Sequence, residues 1–261
     1  MKISIITTNY NTDKYLERTI KSVLNQKGDF ELEYIITDGA STDNSLEIIK
    51  KYKDKLKYIS EKDKGQSDGI NKGLKMATGD IVAFLNSDDV YTEGTLDKVV
   101  RYFKENPDCM WLTGYCRIID ENDKEIKKYI TKYKNHQLKR FTFERLLIED
   151  SIPQPATFWR RKLHEEFGYI DESLHFAMDQ DLWARFASKY KLHLIREYLA
   201  EFRFTSDTKT GSSVHKTLRE SKLVAERYTD NKWVLRKQWL SNLKRIFVYK
   251  YLDPVLKIIK K

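Results

Sequence analysis

Two carboxylates, Asp88 and Asp89, follow directly on the apolar run Ile81 to Leu85. Adjacent carboxylates at the end of a buried strand suit a hard divalent cation, because Mg²⁺ or Mn²⁺ takes one or two carboxylates and completes its shell with phosphate oxygens and water. Such a metal offsets the negative charge growing on a departing diphosphate. The plain alternative is a turn or a helix cap, to which Asp is equally suited. Polar groups end other apolar runs as well: Thr8, Asn9 and Tyr10 follow Lys2 to Thr7, and Asp38 follows Glu33 to Thr37. Only a common cleft lets groups so scattered act together.

The elements that carry them supply such a cleft. Residues 1–106 alternate strand and helix signals at the spacing of a parallel α/β sheet. An Ile-rich strand over Lys2 to Thr7 precedes a helix over Asp13 to Gln26, whose Leu16, Ile20, Val23 and Leu24 share one face. Strands at Glu33 to Thr37, Lys57 to Ser60 and Ile81 to Leu85 alternate with helices through Leu46 to Tyr52 and Ile70 to Met76. In an open parallel sheet, ligands bind outside the carboxyl ends of the strands, where these polar residues stand. Neither G-x-G-x-x-G after the first strand nor G-x-x-x-x-G-K-[ST] occurs anywhere, which argues against a dinucleotide oxidoreductase and a P-loop NTPase. Beyond Pro107 the pattern changes. Met110 to Ile119 and Glu125 to Thr131 read as an antiparallel hairpin, followed by helices near Phe141 to Ile148 and over Asp179 to Tyr190.

Charge is unevenly placed. The 261 residues carry a formal charge of +9, of which Lys232 to Lys261, with nine basic residues and one acidic, holds +8. A nucleic-acid-binding protein spreads basic residues over its main surface, so nucleic acid is not the expected partner. Two cysteines, Cys109 and Cys116, are too few for a disulfide framework and point to a reducing compartment. The N-terminus reads as a strand with no signal-peptide h-region, and no apolar run approaches the roughly 20 residues of a membrane span.

Six stretches in order resemble the inverting, GT-A-fold glycosyltransferases of family 2. They are Ser4 to Asn11, Thr37 to Asp43, Asp63 to Gly73, Leu85 to Tyr91, Gln154 to Arg161 and Met178 to Trp183. The resemblance implies a Rossmann-like α/β fold, with a mostly parallel sheet and a smaller antiparallel acceptor-side part. It implies that Thr8 and Tyr10 line a nucleotide pocket and that Asp38 bonds the base. Asp88 and Asp89 fall on the metal and diphosphate motif, and Asn86 takes a position that is often acidic in the family. Asp68 contacts ribose or phosphate, or simply occupies the first turn of a helix. Asp179 matches the catalytic base, which must deprotonate the acceptor hydroxyl from the face opposite the leaving group. Asp181 is read as structural. Gln154 and Trp159 fall on the acceptor side, where Trp159 stacks on a sugar or packs in the core. His215, in Gly211 to His215, is a further candidate metal ligand. Without Gln-x-x-Arg-Trp or transmembrane helices, one sugar is transferred per binding event.

The expected donor is a nucleoside diphosphate sugar, foremost a UDP-sugar, and the acceptor a hydroxyl of a glycan or lipid-linked saccharide in surface polysaccharide assembly. The expected organisation is a catalytic domain over 1–231, divided into a nucleotide-sugar half (1–106) and an acceptor half (107–231), and a tail over 232–261. In that tail Trp239, Leu240, Leu243, Ile246, Phe247 and Tyr251 recur at helical spacing among Lys and Arg, the composition of an amphipathic helix on anionic lipid. The alternative is a helix packed on the body or on a second subunit. The sequence thus reads as a cytoplasmic enzyme peripheral to the membrane. A sugar-nucleotide pyrophosphorylase is the rival enzyme, but Thr7 to Thr12 lacks its Gly-rich basic loop. A polyanion- or partner-binding protein acting through the tail is the non-enzymatic rival.

Overall fold

The computed structural model describes residues 1–205 and 214–247. The chain first alternates β1 (Lys2–Asn9), α1 (Asp13–Leu24), β2 (Glu31–Asp38), α2 (Ser45–Lys50), β3 (Lys57–Ser60), α3 (Gln66–Met76) and β4 (Ile81–Phe84). It continues through β5 (Val90–Tyr91), α4 (Thr95–Glu105), β6 (Trp111–Ile119), β7 (Glu125–Ile126), α5 (Lys128–Leu138) and α6 (Phe143–Ile148). A 3₁₀ turn (Gln154–Ala156) leads to β8 (Thr157–Arg160), α7 (Leu163–Phe167), α8 (Met178–Ala187), β9 (His193–Arg203), α9 (Val214–Tyr228) and α10 (Lys232–Phe247).

The strands form one sheet in the order β3-β2-β1-β4-β8-β6-β9-β5, with β7 on β6. β3, β2, β1 and β4 run parallel, as their helical crossovers require. The apolar runs of β1, β2 and β4 are buried under helices such as α1 and α4, which turn Leu16, Ile20 and Val23, and Leu96, Val99 and Phe103, inward, while β3 at the sheet edge is partly exposed. Asn9 pairs with Asp38 in register, so the carboxyl ends of β1 and β2 lie at one edge, beside that of β4. β8 is antiparallel to both β4 and β6, and behind it Trp111, Trp159, Trp183 and Phe186 form an aromatic core with ring centroids 5.5–5.9 Å apart.

The expected hairpin is shorter than its sequence suggests. Only Glu125 and Ile126 pair with β6; Lys127 takes φ +49°, and this left-handed residue turns the chain out of the ladder into α5. β9 shows no clean alternation, because register shifts at Gly114, Tyr115 and Cys116 break its pairing with β6.

α10 packs on α6 and α9. It buries Val234 and Gln238, and Gln238 Nε2 donates to the Ser221 carbonyl at 2.8 Å. Trp233, Trp239, Leu240 and Leu243 remain about half exposed, between 44% and 55%. The helix therefore packs on the body and also presents an apolar surface. Residues 248–261, including Tyr251, lie outside the described residues. Among the described residues no helix is long and apolar enough to cross a membrane.

Candidate active site

A cavity of about 870 Å³ opens at the carboxyl edge of the parallel strands. Of the residues the sequence singled out, Thr8, Tyr10, Asn86, Asp88, Gln154 and Asp179 line it. Tyr10 is 62% exposed at the end of β1, which leaves its ring face available to a nucleobase. Asp63 lines the same side. A Cβ on Gly39 would sit 2.6 Å from Asp63 Oδ2, so a glycine at that position is what lets this carboxylate approach the β2 loop.

Asp38 does not line the cavity. Its Oδ1 accepts from Asn9 Nδ2 (2.8 Å) and Ser41 Oγ (2.6 Å), and its Oδ2 from the Ser41 N–H (3.1 Å) and Ser60 Oγ (2.7 Å). Four accepted bonds occupy the lone-pair sites of a carboxylate. Asp38 therefore holds three loops together and does not reach for a base. Asp68 likewise turns away: it accepts the Lys64 N–H at 2.9 Å and pairs with Lys72 at 3.5 Å, and these contacts hold its carboxyl below the usual range, the Lys64 bond contributing most.

The two adjacent carboxylates after β4 have separate fates. Asp88 lines the cavity, and burial pushes its carboxyl up. Asp89 is fully buried behind it: Oδ1 accepts the Arg203 N–H at 2.9 Å and Oδ2 accepts from Asn86 Nδ2 at 3.2 Å. Burial, then the charge of Asp88, raises it well above the usual carboxylate range. Asp89 is thus a structural anchor and not a cavity-facing metal ligand. Arg203, itself fully buried at the end of β9, also donates Nε to the Asp88 carbonyl (2.9 Å) and Nη1 to the Asp120 carbonyl (2.7 Å). This clamp sets the direction of the Asp88 backbone.

His215 is exposed in the first turn of α9 and does not line the cavity, and residues 206–213 before it lie outside the described residues. Among the described residues no group of three His, Cys, Asp or Glu could hold a metal. Of the two adjacent carboxylates Asp88 alone faces the cavity, and one carboxylate still fits Mg²⁺ or Mn²⁺, which takes few protein ligands where a diphosphate completes its shell.

Asn86 sits where the two sides of the cavity meet. It accepts from Gln66 Nε2 at 2.7 Å and donates Nδ2 to Gln154 Oε1 at 3.2 Å, while Gln154 donates to the Phe84 carbonyl. An amide here serves both roles, which a carboxylate could not. Trp159 is fully buried and donates Nε1 to His164 Nε2 at 3.0 Å, so it belongs to the core and offers no ring to a sugar.

Asp179 is the second residue of α8 and lines the cavity. Three features fix it. Glu220 Oε2 accepts the N–H groups of His175, Phe176 and Ala177 at 2.9, 2.6 and 3.0 Å. Gln180 Nε2 donates to the Leu146 carbonyl at 3.0 Å. Asp181, as expected from sequence, is structural, bonded to Arg185, Arg227 and Tyr228.

Sequence reasoning missed Asp150. It lines the cavity with Asp179, and its Oδ1 accepts the Ile152 N–H at 2.8 Å. Burial, reinforced by the Asp179 charge, lifts its carboxyl to about 7 against the opposing pull of the Ile152 N–H, Lys134 and Arg245. It stands just ahead of the Pro-rich segment with no motif of its own, as do Glu220 and Arg245 in their segments, whereas Asp63 opens one of the six stretches and was passed over there in favour of Asp68.

The model of the family described as glycosyl transferase family 2 matches residues 4–168. An uncharacterized glycosyltransferase of Methanocaldococcus jannaschii is 28% identical over 95% of this chain and 85% of its own length. The putative teichuronic acid biosynthesis glycosyltransferase TuaG of Bacillus subtilis is 28% identical over 79% of this chain and 80% of its own. S. aureus TarS, solved with UDP-GlcNAc, superposes with a TM-score of 0.70 at 21% identity, over 95% of this chain and 73% of that one. That likeness shows the fold to be GT-A. The match over residues 4–168, which takes in β1 through β8 and most of the cavity's donor side, makes this chain a member of glycosyl transferase family 2.

Proposed function

We propose that the protein transfers one sugar from a nucleoside diphosphate sugar, foremost a UDP-sugar, to a hydroxyl of a glycan or lipid-linked acceptor, with inversion, in surface polysaccharide assembly. The observation that carries the reading is the placement of Asp88 and Asp179 in the walls of one cavity, joined by the Asn86–Gln154 bond. The UDP-GlcNAc bound by TarS and the teichuronic acid pathway named for TuaG support the donor and the setting.

In this reading residues 1–106 hold the donor, with Tyr10 against the base and Thr8 and Asp63 beside the nucleoside. Asp88 would hold Mn²⁺ or Mg²⁺, which would neutralise charge on the diphosphate. Residues 107–231 hold the acceptor, with Gln154 between the two. The acceptor oxygen attacks the anomeric carbon from the face opposite the diphosphate while Asp179 takes its proton; the bond to the diphosphate oxygen breaks and its electron pair leaves with the nucleotide. A single displacement inverts the anomeric centre. Residues 232–261 attach the enzyme to the cytoplasmic face of an anionic membrane, for which the exposed Trp233, Trp239, Leu240 and Leu243 among basic residues are the support.

The test is a thermal-shift and hydrolysis screen against UDP-, GDP-, dTDP- and CMP-sugars with Mn²⁺ or Mg²⁺. One donor class stabilises and turns over if the reading holds. No stabilisation by any of them overturns it.

A further inference from the structure

The positive charge of the chain has a second source besides the tail. Lys127 to Arg140 holds six Lys and Arg and no Asp or Glu, while the rest of residues 1–231 carries 33 basic residues against 38 acidic. α5 falls inside this run. Like charges so concentrated repel one another, and an anionic surface relieves that repulsion.

α5 has two sides. Ile130, Thr131, Lys134 and Leu138, at helical spacing, line the cavity. Tyr129, Lys132, Tyr133 and His136 lie on the opposite side, with Arg140 just past the helix end. All five are exposed, the two tyrosines by 45% and 38%. This outward side meets α10. The Tyr133 hydroxyl donates to Glu149 Oε2 at 3.0 Å, the oxygen that also accepts from Ser241 Oγ of α10 at 2.9 Å. Lys244 Nζ, one turn further along α10, lies 5.4 Å from the centre of the Tyr133 ring. The outward side of α5 therefore continues into the exposed side of α10, where Lys237, Leu240, Leu243 and Lys244 stand.

Cations alone would suit any polyanion. Here exposed Tyr, Trp and Leu stand among them, and an anionic bilayer surface takes up apolar side chains and aromatic rings while presenting phosphates to the cations. A nucleic acid offers the phosphates but no apolar layer for Leu240 and Leu243. We propose that α5 and α10 form one surface for an anionic bilayer, with Lys132, Arg140 and the rings of Tyr129 and Tyr133 as a second contact beside the tail. This rests on the membrane attachment proposed above for residues 232–261 and extends it into the catalytic body. A single helix on a bilayer leaves the body free to roll about the helix axis. A second element beside it removes that freedom, and because the inner side of α5 is a cavity wall, the cavity takes one orientation toward the membrane.

The experiment measures sedimentation of the full chain with phosphatidylcholine vesicles, with and without phosphatidylglycerol, at low and high salt. Lys132→Gln with Arg140→Gln changes two exposed side chains outside the cavity and is expected to weaken binding to the anionic vesicles by about 10- to 30-fold, less as salt rises. Leu240→Ser with Leu243→Ser weakens it separately, so the combined variant loses the product of the two factors. Melting temperatures and UDP affinity stay at the wild-type values. An environment-sensitive fluorophore on Lys132→Cys reports direct contact, because Cys109 and Cys116 are buried and escape labelling. Its emission is expected to shift to the blue on anionic vesicles, whereas the same label on Lys55→Cys, exposed beside the edge strand β3, stays unshifted. Undiminished binding by the Lys132 and Arg140 variant, or an unshifted label at position 132, overturns the proposal and leaves α10 as the contact. An equal loss on neutral vesicles overturns it too, since cations gain nothing there. A single-stranded oligonucleotide that binds more tightly than the anionic vesicles, and is lost in the same variant, assigns the surface to nucleic acid and overturns it. An unchanged leucine variant overturns the joint surface together with the tail assignment, whereas a failure confined to the α5 variant overturns this proposal alone.

Discussion

The Phe176 N–H donates to Glu220 Oε2 at 2.6 Å, and the same oxygen takes the neighbouring N–H groups of His175 and Ala177. One carboxylate on α9 thus gathers the turn that launches α8, two residues ahead of Asp179. Charge-assisted bonds of this kind are among the stronger ones available to a loop.

Glu220→Ala should therefore loosen Asp179 without touching the donor. Steady-state kinetics are expected to show kcat lower by about tenfold to a hundredfold, the range that misplacing a reacting group costs, with the donor KM within about twofold. A donor KM that rises in step with the loss of kcat would mean that Glu220 supports donor binding instead.

Asp179→Asn retains hydrogen-bonding shape but cannot accept a proton. Nucleotide affinity should match wild type, and transfer should fall by about 10²–10⁴, the usual contribution of a general base. Transfer within about threefold of wild type would exclude Asp179 from the role.

Asp88 and Asp89 should separate cleanly by assay. Asp88→Asn is expected to weaken the Mn²⁺ or Mg²⁺ dependence of UDP binding by at least about tenfold while changing the melting temperature little. Asp89→Ala leaves the Arg203 N–H and the Asn86 amide without their buried acceptor and should cost about 2–4 kcal/mol by denaturant unfolding. The reverse pattern would return Asp89 to the metal site.

Asp150, lifted to about 7, gives a pH signature with a definite sign. Between its unfolded value near 4 and about 7 the folded protein binds more protons than the unfolded chain, so this group's contribution to stability falls as pH rises through that window. Asp150→Asn removes the slope. Its stability relative to wild type should therefore be greater at pH 8 than at pH 5, by on the order of 3 kcal/mol, measured by urea unfolding at both pH values. A pH-independent difference would show that Asp150 ionises normally.

For the tail, Leu240→Ser with Leu243→Ser should reduce binding to anionic vesicles by about 10- to 100-fold, since each side chain, 50% and 44% exposed, has only about half of the roughly 1.5–3 kcal/mol of full burial left to gain on insertion. Sedimentation with vesicles, compared with neutral ones, checks this. Undiminished binding would reassign the exposed face to a protein partner.

Much of the donor side was legible because its signals are local. Apolar runs of four to eight residues with helices between them dictate a parallel sheet, and the residues just past each strand must lie at its carboxyl edge. Thr8, Tyr10, Asn86 and Asp88 follow from that arithmetic alone, and the motif around Gln154 and Asp179 extends it across the cleft. What no local pattern contains is the identity of a distant partner. Asp88 and Asp89 are chemically identical neighbours; Arg203, 114 residues beyond Asp89, captures one and leaves the other facing the cavity. Asp38 is likewise turned away from a ligand by Asn9, Ser41 and Ser60. Asp150 owes its raised pKa to burial and to Asp179, and α10 divides its surface between the cavity and the exterior according to how it packs on α6 and α9. Residue type and spacing determined which groups stand at the edge of the sheet. Burial and long-range hydrogen bonds, which exist only once the chain has folded, decided which of them face the substrate.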